Sequence, residues 1–186
     1  MSKAFTKESD EGPLDEVIAE PKDLLPPGAK NYVTPGGAEA LRAELKRLEE
    51  VVRPQVVGAK GRGKKASSNV EGAVEGKSLS PKARLAAIDR RIEFFRERVA
   101  SMVVVDPKSQ DQDSVHFGAT VTVADEEGNE KIYKIVGVDE SEPSKGRVSF
   151  ISPIGNALIS AREGDSVRID LPDGTIELEV LEIEYY

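Results

Sequence analysis

Two carboxylates and the lysines around them are the residues of this 186-residue chain whose types and spacing could do chemistry. Glu71 and Glu75 stand four apart and would share a face if their stretch were helical. Paired carboxylate oxygens suit a hard divalent cation such as Mg²⁺. Gly72 and Gly76 follow them directly, which argues against a rigid helix there. Between positions 58 and 80 these two acids face five cations, Lys60, Arg62, Lys64, Lys65 and Lys77, a net charge of +3 in a chain of net charge −8. Positive charge opposes recruitment of a metal ion and favours contact with phosphate or with carboxylates elsewhere. Two readings follow. Glu71 and Glu75 are metal ligands, or they are solvated acids in a flexible basic loop, and the local charge favours the second. A further basic set, Arg84, Arg90, Arg91, Arg96 and Arg98, lies downstream. It suits either nucleic-acid phosphate or charge pairs with Glu93 and Glu97 on a solvated helix.

Much other chemistry is excluded. The chain has no Cys and a single His, His116. Disulfides, thiolate metal sites, a His-based zinc site and a Ser-His-Asp triad are therefore out of reach, and a reducing cytoplasm is the simplest compartment. At a net charge of −8 the whole molecule is no typical nucleic-acid binder. No apolar run approaches the roughly 18–20 residues of a membrane span, and the opening MSKAFTKESDEG lacks the apolar core of a secretory signal.

The elements that must position these residues can be read from spacing. Residues 1–33, rich in Pro and acids, read as a flexible N-terminal extension. Thr34-Pro35 is a helix start, a capping side chain followed by a residue suited to the first helical position. Leu41, Leu45, Leu48 and Val52 then recur at heptad-like intervals, and Pro54 should kink the helix or break it locally. Ser80-Pro81 starts a second helix with the seam Leu85, Ile88, Ile92, Phe95, Val99 and Met102. Two such seams predict an antiparallel helical hairpin, a long coiled coil over 34–106 with arms of roughly 30 Å and residues 58–80 as its tip loop. The rival arrangement, two helices on a globular core, is disfavoured because polar residues cover their remaining faces.

Beyond the polar linker 108–114 the period becomes that of strands. Ala119–Val123, a turn at Asp125–Asn129 and Lys131–Val136 predict a β-hairpin; Arg147–Ile151 is a third strand. Ser152 caps a short helix from Pro153 to Ala161, and Ser166–Asp170, a Pro172-Asp-Gly174 turn and Glu177–Tyr185 form a last hairpin. Residues 115–186 therefore predict a small domain with an antiparallel sheet, and the whole chain is α+β.

An ordered set of residues resembles the GreA/GreB family of Gre-type transcription elongation factors. It runs from Asn31-Tyr-Val-Thr-Pro35 through Arg84-Leu85, Ile88-Asp-Arg-Arg-Ile92 and Val104-Val-Asp106. It continues with Phe117-Gly118, Ile135-Val-Gly137, Asp139-Glu140, Ile151-Ser-Pro-Ile154, Ala157-Leu158, Gly164-Asp165 and Ile183-Glu-Tyr185. The opening Ser2–Asp10 and Leu25-Pro-Pro-Gly28 are similar to extended GreB-type members. The resemblance implies a coiled-coil hairpin that enters the secondary channel of bacterial RNA polymerase. It also implies an FKBP-like C-terminal domain that docks on the channel rim. In the family, acids in a Gly-Asp-x-Ser-Glu-Asn type tip motif help hold the polymerase's second catalytic Mg²⁺, so that the polymerase hydrolyses the 3′ end of backtracked RNA.

The motif is missing between Arg53-Pro54 and Arg84-Leu85, so no catalytic role carries over to this chain. The expectation is an accessory factor, not an enzyme, that binds the polymerase with weak or no stimulation of cleavage. The alternative is an active cleavage factor that completes the polymerase Mg site through Glu71 and Glu75. By the same resemblance Ile151, Ser152, Pro153, Ile154, Gly155 and Asn156 face the polymerase. Lys64, Lys65, Lys77, Arg84, Arg90 and Arg91 would meet the nascent RNA 3′ region or the channel. The remaining expectations are no cofactor of its own, action near the polymerase Mg, no membrane contact, and a cytoplasmic monomer.

Overall fold

A computed structural model of the chain describes residues 23–62, 79–171 and 174–186, and the backbone alone of 59–62. Two compact units emerge, one built on Ala43–Glu97 and the other on Leu24–Arg42 together with Arg98–Tyr186.

In the first unit, helix α1 (Pro35–Arg47), which begins in the second unit, passes through a π-helical turn (Leu48–Val52) into α2 (Arg53–Arg62). Helix α3 (Pro81–Ser101) packs against this run. Leu48, Val52, Val56, Ile88 and Ile92 are buried together, with Leu45, Leu85 and Phe95 at their margin. Pro54 explains the π-turn. Proline has no N–H and crowds the carbonyl four residues before it, and the helix answers upstream, where Arg53 N–H bonds the Leu48 carbonyl five residues back. The wider turn also has a packing use. Steps of four residues drift about 40° each around an α-helix of 3.6 residues per turn, and the π-turn takes this up, so Leu48, Val52 and Val56 stay on one face. The expected kink is thus an inserted turn that keeps the seam in register.

Salt bridges cross the seam from Glu49 to Arg96 at 2.6 Å and from Arg53 to Asp89 at 2.7 Å. Numbers rise on one partner as they fall on the other, so the segments run antiparallel. Ser80 Oγ accepts from Ala83 N–H at 3.3 Å and caps α3.

The second unit holds a five-stranded sheet, β3 (Thr120–Asp125), β4 (Glu130–Val136), β5 (Arg147–Ser149), β6 (Ser166–Leu171) and β7 (Gly174–Glu184), in the order β5-β4-β3-β7-β6. Ahead of it a parallel pair joins β1 (Asn31–Val33) to β2 (Met102–Val104). The predicted hairpin β3–β4 forms with Thr122 opposite Ile132, and its turn is tied by Asp125, whose carboxylate accepts from Glu127 and Asn129 N–H. Those hydrogen bonds, from Asn129 above all, hold the Asp125 carboxyl below its ordinary value.

One expectation is corrected. The sheet is mixed, not antiparallel throughout, because β5 runs parallel to β4 with Ile135 opposite Val148. The connection 137–146 does not reverse as a hairpin. It folds into two short 3₁₀ turns, Val138–Glu140 and Pro143–Lys145, and brings the chain back in the same direction.

Alternation puts Val121, Val123, Ile135, Ile169, Leu178 and Val180 on the core face. There they meet α4 (Pro153–Leu158) through the fully buried Leu158. Pro172 and Asp173 of the expected last turn lie outside the described residues.

Candidate functional site

The segment from Ser149 to Asn156 is built tightly for an exposed turn. After β5, Ser152 N–H and Oγ both donate to the Ser149 carbonyl, at 2.9 and 2.7 Å. Ser152 Oγ also accepts from Gly155 N–H at 3.1 Å, and Pro153 occupies the first turn of α4, as the sequence predicts. Gly155 has no alternative, since a Cβ there would sit 2.1 Å from the Ser149 carbonyl oxygen. Of the six residues singled out, Gly155 is buried and Ile151, Ser152 and Ile154 are half-buried. Ile154 packs on the sheet core. Pro153 and Asn156 are exposed. The turn therefore presents a fixed surface of Pro153, Asn156 and part of Ile151.

The arginines of α3 separate into distinct groups. Arg96 is committed to Glu49 and Glu93 at 2.6 and 3.5 Å, and the Glu49 hydrogen bond raises its pKa further above the usual guanidinium range. Arg98 is buried and paired with Asp139 at 3.5 Å. Arg91 lays its guanidinium over the Phe95 ring at 5.5 Å from the centroid, a cation–π contact. Phe95 itself meets Phe94 edge-on at 5.6 Å. Arg90 is exposed and Arg84 half-buried. Structural pairing therefore accounts for Arg96 and Arg98. Glu71, Glu75, Lys64, Lys65 and Lys77 lie outside the described residues. Among the described residues no group of three or more His, Asp or Glu is placed to hold a metal ion.

A third constellation joins residues that spacing does not connect. The carboxylate of Glu140 accepts from Thr34 N–H at 3.0 Å, from the Thr34 hydroxyl and from Gly137 N–H at 3.2 Å. Thr34 Oγ1 meanwhile accepts from Gly37 N–H at 3.1 Å and so caps α1. Beside Glu140, Asp139 holds Arg98, whose carbonyl accepts from the buried Asn31 side chain at 3.2 Å. The sequence carried one hint, the doublet Gly36-Gly37 in the first turn of a helix, where glycine is unfavourable unless something approaches closely.

His116 has a structural part. It lies 3.1 Å from Ser114 Oγ through its ring, and its backbone N–H donates to the Tyr185 hydroxyl at 2.8 Å. Tyr185 in turn donates to the Ser114 carbonyl at 2.7 Å, and burial raises its pKa above the usual phenol range.

Residues 110–185 match the family described as transcription elongation factor, GreA/GreB, C-term. The chain is 42% identical over 157 residues to transcription elongation factor GreB of Neisseria meningitidis serogroup B, which covers 84% of this chain and 94% of that protein. It is 39% identical over 155 residues to GreB of Haemophilus influenzae, covering 83% and 96%. Transcription elongation factor GreA of Pelobacter propionicus is 38% identical over 148 residues, covering 79% and 92%. Among solved structures, GreA factor homolog 1 of Thermus thermophilus aligns over 84% of this chain and 99% of that chain at 21% identity, with a TM-score of 0.35, too low for any comparison of arrangement. On the sequence matches across both its helical and its sheet-bearing residues, the chain belongs to the GreA/GreB family of transcription elongation factors.

Proposed function

We propose that this chain is an accessory factor of bacterial RNA polymerase that occupies the secondary channel and stimulates transcript cleavage weakly or not at all. The observation that carries the reading is the family likeness across 84% of the chain combined with a segment 58–80 that holds five cations and two acids. In this reading residues 34–106 form the long coiled-coil hairpin, 58–80 is its tip, 115–186 is the docking domain, and the flexible extension expected over 1–33 ends before the buried strand Asn31–Val33. The turn Ile151–Asn156 meets the rim of the polymerase, and its internal hydrogen bonds mean that little ordering entropy opposes the contact. Lys64, Lys65 and Lys77 at the tip, with Arg84, Arg90 and Arg91 on α3, face RNA phosphate or the polymerase carboxylates.

A tip of net charge +3 beside a Mg²⁺-holding centre competes with the metal for carboxylates rather than adding ligands to it. The factor then needs no cofactor of its own and acts as a cytoplasmic monomer.

Binding is tested by titrating labelled chain with purified bacterial RNA polymerase. Saturable binding is expected, weakened at least about tenfold, the equivalent of about 1.4 kcal/mol, by Ile151→Glu combined with Asn156→Ala. Replacing Arg90 and Arg91 by Ala should reduce crosslinking to nascent RNA and flatten its salt dependence. A chain that ignores the polymerase at micromolar concentration contradicts the reading. The rival reading, an active factor using Glu71 and Glu75, is separated by the cleavage measurement that closes the Discussion.

A further inference from the structure

We infer that the adjacent acids Asp139 and Glu140 are positioning residues that bracket the roots of the two long helices, and through which docking becomes an effect on transcription. The inference rests on the polymerase-binding reading above. The sheet unit presents two consecutive carboxylates on one 3₁₀ turn, and each holds a different helix. Glu140 takes the backbone and side chain of Thr34 at the start of α1. Asp139 takes Arg98 in the last turn of α3, with side-chain exposures of 13% and 6%.

The start of α1 is made for this contact. Its first turn carries no acid of its own, so the negative charge that favours a helix N-terminus comes from Glu140, 106 positions along the chain. Gly37 weakens the helix, yet a Cβ at that position would lie 2.1 Å from the Glu140 side-chain carbon Cδ and 2.3 Å from its Oε1. Gly37 and Glu140 therefore explain each other. On the far side of the turn, Gly137 lets the backbone approach, since a Cβ there would lie 2.4 Å from the Tyr32 carbonyl oxygen. The same connection 137–146 leads directly into β5 and the turn 151–156. One short path of backbone thus joins the proposed docking turn to both helix roots. None of these bracket side chains belongs to the proposed docking surface, so the bracket should matter after binding rather than for it.

The test separates affinity from effect at saturation. Glu140→Ala should bind polymerase within about threefold of the wild type, while its effect on elongation at saturating factor falls at least about fivefold. Glu140→Gln, which keeps the shape and one acceptor oxygen, should recover at least half of that effect. Asp139 is the poorer choice for substitution, because removing one partner of a buried ion pair is strongly destabilising. Gly37→Ala gives an independent route, since its methyl group displaces the Glu140 carboxylate without replacing any acid. Alone it should reproduce the loss; combined with Glu140→Ala it should add nothing, and the double variant should melt no lower than Glu140→Ala.

Unchanged effect in Glu140→Ala overturns the inference, and so does a parallel fall in affinity and effect, which would mark a merely structural contact. Additive losses in the Gly37/Glu140 cycle overturn it as well, and that cycle is read by thermal melting with no polymerase present. A wild-type chain that fails to bind polymerase defeats the preceding reading instead, and this one with it.

Discussion

The helical unit and the sheet unit hold themselves together in different ways. Among the described residues the sheet unit buries eleven hydrophobic residues in one cluster, spread over all five strands of its larger sheet, α4 and the segments beside them, so each side chain is braced by partners far apart in sequence. Among its described residues the helical unit buries five in its cluster, a single seam, and flanks it with exposed ion pairs. Burial of apolar area supplies most of the stability of a fold, while exposed ion pairs contribute little. The sheet unit is therefore the anchor, and the helical unit depends on a line of contacts with few alternatives.

Deleting core atoms on the two sides should break or sharpen this contrast. The largest effect is expected from Leu158→Ala, which opens a cavity beneath the sheet and should lower the stability of that unit by about 3–4 kcal/mol, read by chemical denaturation. Ile88→Ala should cost about 2–3 kcal/mol, and the loss should stay local. Amide exchange should quicken along α3 and leave β3 and β7 protected. Uniform loss of protection across both units would show that they fold as one and would end the comparison.

A smaller effect concerns the C-terminus. The folded pKa of Tyr185 is raised, chiefly by burial, so its contribution is fully present below the ordinary phenol value of about 10 and is lost as pH rises through the folded value. Tyr185→Phe should remove two hydrogen bonds, about 1–2 kcal/mol together, and flatten the alkaline end of the stability profile. An unchanged slope above pH ~10 would mean that another group titrates there. The smallest effect belongs to Arg53→Ala, which severs the exposed pair with Asp89. It should cost under about 1 kcal/mol and vanish in high salt.

The contrast also explains which features are legible in the sequence. Local signals were legible. Thr34, Ser80 and Ser152 cap helices because a hydroxyl before Pro states its purpose within four residues. The seam residues Leu48, Val52, Ile88 and Ile92 followed from period alone, and so did the β3–β4 hairpin with its Asp125–Asn129 turn. Contacts between distant segments were not legible. Strands β1 and β2 have three residues each, too few for a period, and Asn31 meets Met102 across 71 positions. The parallel direction of β5 depends on two 3₁₀ turns that no hydrophobic pattern announces. The bracket at Asp139-Glu140 was visible only as part of a family likeness, because an acid's partner 106 positions away leaves no local trace beyond the odd glycine at 37. For the site the same division holds. The turn 151–156 showed its internal logic in Ser152 and Pro153, whereas the sorting of the α3 arginines required Glu49 and Asp139 to be seen in place.

The most direct measurement is 3′-end RNA cleavage in stalled, backtracked complexes of bacterial RNA polymerase, with the full chain added at concentrations that saturate binding. The account predicts occupied complexes whose transcripts shorten little faster than with no factor present, and no change when Glu71 and Glu75 are replaced by Ala. Rapid shortening that disappears in Glu71→Ala or Glu75→Ala would contradict it and make those two carboxylates working metal ligands.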